Sequence, residues 1–178
     1  AIERLEREPE PAPEPGTWNA EPGTAPPLAT QAREAIARLR DATAMHDETA
    51  ARETVTALEH DVLAVYRPSH GLGRFEDDVA VALAMLAAYD VGADETHLMM
   101  AEELMLGVIR RDWDRRTQYG LAVNCEAAVA LAALATRGGK AEYREYALDI
   151  LRDYAATYRG HGVRAAPFVS ALLSILDC

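Results

Sequence analysis

The feature that most constrains this chain is an apolar heptapeptide that occurs twice, 48 residues apart. Residues 81–87 read VALAMLA and residues 129–135 read VALAALA, so six of the seven positions are identical. In both places a short polar turn follows, at residues 90–94 and 137–140, and a second segment with sparser apolar residues comes after it. This repetition predicts a helical hairpin that is used more than once along the chain.

The two segments of each hairpin differ in the burial that they predict. Residues 79–88 contain no polar side chain, and a helix that is apolar on every side must be buried on every side. Residues 143–158 instead have charged side chains between apolar ones at spacings of three and four, which predicts one buried face and one solvated face. Those apolar residues are Tyr143, Ala147, Ile150, Leu151, Tyr154 and Tyr158. We therefore expect an inner helix to alternate with an outer helix.

Strand-type alternation of Val, Ile and Thr is absent, so the predicted fold class is all-α. A third, degraded copy of the hairpin precedes the two clear ones, which gives about three and a half antiparallel hairpins. The third helix is expected to begin at Asp77 or Asp78, and Gly138 with Gly139 is expected to end the fifth. The predicted N-caps are Thr30, Asp94 and Asn124. The other helices are predicted at residues 30–44, 48–66, 95–112, 141–158 and 168–176.

Residues 1–29 have the composition of a tail that precedes the helical domain of residues 30–178. Seven of the nine prolines of the chain lie between Pro9 and Pro27, interleaved with glutamate. Neither a helix nor a sheet continues through such a segment. We expect the tail to act as a docking strap against its own domain or against a partner, with Trp18 as its anchor.

The net charge of −11 makes binding to nucleic acid phosphates or to anionic lipid unfavourable. The apolar runs are shorter than a membrane-spanning helix requires, which predicts no membrane insertion. Cys125 and Cys178 are the two cysteines of the sequence, too few for a disulfide framework and without metal-ligand spacing. The expected compartment is therefore reducing, that is, cytoplasmic, and the residues indicate no cofactor.

Several segments together resemble a known family. The sequence resembles the α/α-toroid region of a family of thioredoxin-domain proteins, which is itself similar to six-hairpin glycosidases and N-acylglucosamine 2-epimerases. The resemblance covers about residues 75–176 and implies part of an α/α toroid. The segments that carry it are residues 77–86 (DDVAVALAML), 101–104 (AEEL), 110–114 (RRDWD), Asn124, 127–131 (AAVAL) and 143–147 (YREYA).

The chain departs from this family in two respects. It contains no Cys-x-x-Cys motif. A closed ring of six hairpins with this period would need about 280 residues, and the chain has 178. A ring that stops near its midpoint leaves apolar helix flanks uncovered. We expect the tail, a second copy, the remainder of a longer protein or a different protein to cover them, so a protein partner or a homo-oligomer is predicted.

Four residues at the starts of inner helices are candidates for chemistry. A toroid of this kind would direct the carboxylates of Asp77 and Asp78 into its central cavity, and glycoside hydrolysis needs two carboxylates. Asn124 and Glu126 occupy nearly the same position in the next repeat. The alternative for all four is helix capping and packing. A histidine would be the partner base, and the candidates are His46, His60, His70, His97 and His161; none forms a zinc-binding pair.

A basic cluster surrounds the second tryptophan of the chain. Arg110, Arg111, Arg115 and Arg116 lie around Trp113 and could bind a phosphate or an acidic segment of a partner. Asp112 and Asp114 lie among them, so the alternative is a helix end whose charges neutralise one another.

Two functions from different classes follow from these residues. The first is a non-catalytic helical-hairpin interaction or scaffold module, an accessory subunit or a fragment that packs on a larger assembly. The second is a carbohydrate-active enzyme, similar to a sugar epimerase or a glycosidase, that uses Asp77 or Asp78 with a histidine. We favour the first, because an open half-ring does not enclose the pocket that small-molecule chemistry prefers. No class of small-molecule ligand is indicated.

Overall fold

A computed structural model describes residues 26–176, which form seven α-helices and no β-strand. The predicted all-α class is confirmed. Trp18 and nearly all of the predicted tail lie outside the described residues. The helices are α1 Leu28–Met45, α2 Glu48–Val65, α3 Phe75–Gly92, α4 Glu95–Asp112, α5 Leu121–Gly138, α6 Ala141–Tyr154 and α7 Ala166–Leu176. Segments of 3-10 helix at Trp113–Tyr119 and Tyr158–Ala165 precede α5 and α7.

Helices α1, α3, α5 and α7 pack side by side in that order, and we call them the inner helices. Helices α2, α4 and α6 each pack on the inner helix that precedes them, and we call them the outer helices. Helix α3 touches α1, α4 and α5, and it is buried around most of its circumference. The finer description, antiparallel hairpins that form part of a toroid, stays a prediction.

Alanine sets the close spacing of the inner helices. Small side chains at a helix contact reduce the distance between the two helix axes, and the inner helices bury alanine along their contacts. The fully buried alanines, with at most 1% exposure, are Ala32, Ala80, Ala82, Ala84, Ala88, Ala127, Ala128, Ala130, Ala132 and Ala171. Larger residues such as Leu104, Met105, Tyr143 and Ile150 on the outer helices fill the space between the two layers.

The start of α1 differs from the prediction. Pro27, not Thr30, occupies the N-cap position, and it has no side-chain oxygen to accept from the first amides. The acceptor comes from α3 instead, because the Asp77 Oδ1 accepts a hydrogen bond of 2.9 Å from the Ala29 N–H. Asp77 therefore caps a neighbouring helix, and α3 itself begins earlier than predicted, at Phe75.

The predicted N-cap Asn124 is wrong. Helix α5 begins at Leu121, and Gly120 occupies the N-cap with a φ of 81°. Asn124 lies within the first turn, where its Nδ2 donates to the carbonyls of Arg116 and Gly120 and to the Tyr154 hydroxyl. The Asn124 side chain therefore fixes the start of α5 from a position inside the helix. It does so because it binds both the backbone of the preceding segment and Tyr154 of α6.

Other boundaries follow the prediction more closely. Asp94 caps α4, since its Oδ1 accepts a hydrogen bond of 2.8 Å from the Thr96 N–H, and α4 has the predicted range. Gly139, with a φ of 67°, follows the end of α5. Helix α6 ends four residues early, at Tyr154. The ring of Tyr158 instead stacks on Phe168 of α7 with a centroid distance of 4.4 Å.

By length and composition α5 could span a membrane, and it alone meets that test within residues 26–176. Half of this window is buried against the rest of the protein, between α3, α6 and α7. A core helix of a globular protein has the same properties.

Candidate functional site

A groove across the inner helices has a volume of about 740 Å³. We call it the inner-helix groove. Its floor is apolar and its rim is charged. The floor residues are Ile36, Leu39, Leu83, Leu86, Ala87, Val129 and Ala133, and the rim residues are Arg33, Arg40, Asp90, Glu126 and Arg137, with Pro167 and Ser170 contributed by α7.

An ion-pair network closes one end of the groove. The Arg33 Nε and Nη2 donate to the two carboxylate oxygens of Glu126 at 3.0 and 2.7 Å, and the Arg33 Nη1 donates to Glu76 at 3.0 Å. These contacts raise the pKa of Arg33, and the hydrogen bonding of Arg33 to the Glu126 carboxylate is the largest cause. One guanidinium thus joins α1, α3 and α5.

The other end of the groove has a second bidentate pair. Arg137 of α5 donates to both carboxylate oxygens of Asp90 of α3, at 2.7 and 2.6 Å. Between the two ends, Arg40 is exposed on the rim and forms no ion pair within residues 26–176. The groove therefore has two neutralised ends and one rim cation that is open to an acidic group.

Asp77 and Asp78 do not line this groove. Their residues are 7% and 0% exposed. The Asp78 Oδ1 accepts a hydrogen bond of 2.8 Å from the Leu72 N–H, and its Oδ2 accepts one of 2.5 Å from Arg111 of α4. Both carboxylates hold other segments in place, so neither presents an oxygen to a ligand in the groove.

The environment of Asp78 shifts its titration. Burial raises its pKa to about 6, against the opposing effects of the Leu72 N–H and of Arg111. The contact also requires glycine at position 71, where φ is 63° and a Cβ atom would lie 2.5 Å from the Asp78 Oδ1. Asp78 also borders a second cavity of about 400 Å³, together with His70 and Asp112, but both of its oxygens accept hydrogen bonds from the protein itself.

Of the four candidates for chemistry, only Glu126 lines the groove, where it is bound to Arg33. Cys125 also borders the groove, but burial raises the pKa of its thiol to about 11, so the reactive thiolate is disfavoured. Asn124 is fully buried.

The basic cluster around Trp113 is largely neutralised by acids of the same protein. Asp112 is its centre, because its Oδ1 accepts from Arg115 and from the Tyr119 hydroxyl. The other ion pairs are Arg110 with Glu103, Arg111 with Asp78 and Asp112, and Arg116 with Asp153. Arg116 also stacks over the Trp113 ring at 4.3 Å, and that ring packs edge-on against Tyr146.

The histidines lie apart from the groove. His97 is buried, and its Nε2 forms a hydrogen bond of 2.8 Å with Glu59 that joins α4 to α2. His70 pairs with Ser69 in the loop before α3. His46, His60 and His161 are exposed. Within residues 26–176, no cluster of three or more His, Cys, Asp or Glu side chains is arranged to hold a metal ion.

A second surface stands out on α7. Its residues Phe168, Ala171 and Ile175 are buried. On another side, Val169, Leu172, Leu173 and Leu176 are 47%, 37%, 56% and 64% exposed. Leu172 and Leu173 lie three and four residues after Val169, and Leu176 lies three residues after Leu173, which places all four on one side of the helix; we call them the α7 face.

The sequence predicts the apolar helix that carries the α7 face, but it does not predict the inner-helix groove. The α7 face lies on the apolar helix that the sequence predicts at residues 168–176. The groove was missed, because its floor residues come from three helices with no shared motif. Its one sequence signal is that Ile36, Leu83 and Val129 each lie eight residues after the first residue of their helix.

No family model, curated protein or solved structure matches this chain. The resemblance to the α/α toroid therefore stays a prediction.

Proposed function

We propose that this chain is a non-catalytic helical module that binds a partner protein through the α7 face. The observation that carries the proposal is a stripe of four exposed aliphatic residues on a helix that contains no charged residue. Contiguous apolar surface of this kind, unlike scattered single residues, marks interaction sites on proteins.

The other inner helices indicate what kind of segment would cover this face. Each of α1, α3 and α5 is covered by an outer helix. Every outer helix has buried apolar residues at helical spacing and charged residues on its exposed side, as in the series Tyr143, Ala147, Ile150, Leu151 and Tyr154 of α6. Within residues 26–176, α7 is the inner helix without such a cover. The occupant that fits is an amphipathic helix of a partner, placed as a fourth outer helix.

Electrostatics favour a partner helix with acidic residues beside its apolar stripe. The segment before α7 carries Arg159 and Arg164, both exposed, while α7 itself would bury no charge in the contact. Opposite charges at the rim of an interface increase specificity and the rate of association.

The carbohydrate-active alternative has less support. Acid–base catalysis needs a group within hydrogen-bonding reach of the substrate, and the candidates Asp77 and Asp78 are buried and bonded to Ala29, Leu72 and Arg111. The apolar floor of the groove also lacks the paired carboxylates of a glycosidase.

Photo-crosslinking tests the proposal. A photoreactive amino acid replaces Leu172 of the α7 face in cells of the source organism, and the crosslinked peptides are sequenced. We expect one partner whose crosslinked peptide has apolar residues at spacings of three and four. Leu173→Glu, at a position that is 56% exposed, should abolish the crosslink and leave the circular dichroism spectrum unchanged.

Met99 on α4 supplies the matched control, because it is 68% exposed and lies on a covered helix pair. A photoreactive group at position 99 should not capture this partner, and Met99→Glu should leave the Leu172 crosslink intact. Equal capture from both positions, a captured peptide without helical spacing, or capture of a second copy of this chain would each contradict the proposal.

A further inference from the structure

We infer that the inner-helix groove is the docking site of this chain's own N-terminal segment, residues 14–25, with the Trp18 side chain on the apolar floor. The inference rests on the groove and not on the α7 face. It assigns an occupant to a cavity of about 740 Å³, which lies in the range of sites that enclose ligands.

The reach of the segment fits the groove. Helix α1 begins at Leu28, and Ile36, Leu83 and Val129 all lie about 12 Å along their helices at 1.5 Å per residue. The Pro26 carbonyl accepts from the Gln31 side chain at 2.6 Å, which holds the chain on the far side of α1 from the groove. Passing around the helix end adds about one helix diameter, roughly 10 Å. The eight extended residue steps from Trp18 to the anchored Pro26 cover about 25 Å, which is about the length of this path.

The chemistry of the segment also fits. Trp18 is the one aromatic residue among residues 1–25, and a tryptophan side chain buries a large apolar area while its N–H can stay at the rim. Glu14 lies four residues before Trp18 in the sequence, so a segment that continues along the groove beyond Trp18 would bring the Glu14 carboxylate toward Arg40. Arg40 is exposed and forms no ion pair within residues 26–176, so a carboxylate there gains a charge-assisted contact.

Covalent connection favours this occupant over a separate chain. A segment tethered through a short linker experiences an effective concentration of about millimolar. A weak contact between Trp18 and the floor is therefore enough to keep the groove filled. A free peptide of equal affinity would fill the groove only at a concentration of about millimolar.

Tryptophan fluorescence of the full chain gives the test. The sequence contains two tryptophans, so Trp113→Phe leaves Trp18 as the sole reporter. We expect its emission to be shifted to the blue, and its quenching by acrylamide to be lower, than in a synthetic peptide of residues 1–25. The shift should not depend on protein concentration.

Two groove variants in the Trp113→Phe background locate the site. Val129→Glu places a charge on the partly buried floor and should return the Trp18 emission to that of the free peptide. Arg40→Glu changes only an exposed rim residue and should reduce the shift even if Val129→Glu fails to fold. Met99→Glu on α4 is the control and should leave the shift unchanged.

The contrary outcomes are distinct. Emission equal to that of the free peptide overturns the inference. A shift that grows with protein concentration assigns the groove to a second copy and overturns it as well. A shift that persists in both groove variants places Trp18 elsewhere. Leu173→Glu on the α7 face should not alter the Trp18 emission, so this inference and the proposed function fail independently.

Discussion

At the scale of single residues, each inner helix that has an outer helix carries one polar side chain near its start. That side chain holds the segment that leads into the inner helix. Gln31, Asp78 and Asn124 are each the fourth residue of their inner helix. Gln31 donates to the Pro26 carbonyl, Asp78 accepts from the Leu72 N–H, and Asn124 donates to the Gly120 carbonyl. Each of these hydrogen bonds favours one geometry of the preceding segment. Two of the four candidates for chemistry, Asp78 and Asn124, therefore serve as structural contacts.

The Asp78 contact predicts an unusual requirement at Gly71. Gly71→Ala should destabilise the protein in two ways, because φ is 63° and because the new Cβ would lie 2.5 Å from the Asp78 Oδ1. We expect a loss of about 2–4 kcal/mol in the free energy of unfolding, the sum of backbone strain and overpacking. Urea denaturation monitored by circular dichroism measures it.

Gly73 provides the matched control two residues away. Its φ is 87° and no atom lies within 4 Å of the added Cβ, so Gly73→Ala should lose only the backbone strain, about 1–2 kcal/mol. Equal losses in the two variants would mean that the Asp78 carboxylate moves aside without cost and does not hold the loop.

At the scale of elements, the repeat exists but its register is not the one that the sequence suggests. The two similar heptapeptides are 48 residues apart, whereas α3 and α5 begin and end 46 residues apart. In a helix that is buried all round, neighbouring alanines and valines serve equally well as core, so the apolar pattern alone does not fix the rotation of the helix.

A helix boundary could be predicted from the sequence where the residue that fixes it lies next to that boundary. Asp94 and Gly139 act within their own helices, and the ends near them were predicted correctly. The start of α1 depends on Asp77, which is 48 residues away from Ala29, and no local pattern contains that contact. The groove was missed for the same physical reason, since its floor exists only when three helices are packed together.

The contact between Asp77 and α1 yields a prediction for that element. Asp77→Ala removes the acceptor of the Ala29 N–H and should lower the free energy of unfolding by about 1 kcal/mol. Hydrogen exchange of the first amides of α1 should accelerate, while that of α4, which has its own cap in Asp94, should stay as it is. Asp77→Asn keeps an acceptor oxygen and should lose less. A loss in Asp77→Asn as large as that in Asp77→Ala would show that charge, not the cap hydrogen bond, stabilises α1.

At the scale of the whole molecule, the two ends of the helix array differ. The depression between α1 and α2 is bordered by the polar residues Gln31, Glu34, Arg38 and Asp61, which suits a terminal unit in contact with water. The other end presents the α7 face. Helix α3 packs on α1, α4 and α5 and also touches α2, whereas α7 packs mainly on α5. In an array with contacts only between neighbours, stability is therefore expected to be highest at α3 and lowest at α7.

This gradient predicts that a cavity in α7 acts locally. Phe168→Ala removes a side chain that is 5% exposed and stacks on Tyr158. Amide exchange in α7 and in residues 158–165 should accelerate, while α3 keeps the exchange rates of the unsubstituted protein. Leu131→Ala, in the centre of α5 at 0% exposure, is the control and should cost about 2–5 kcal/mol. Because α5 joins α3, α6 and α7, that variant should accelerate exchange in all four helices. If Phe168→Ala accelerates amide exchange in α3 as much as in α7, the molecule opens as one cooperative unit. Helix α7 would then be as stable as the core beneath it.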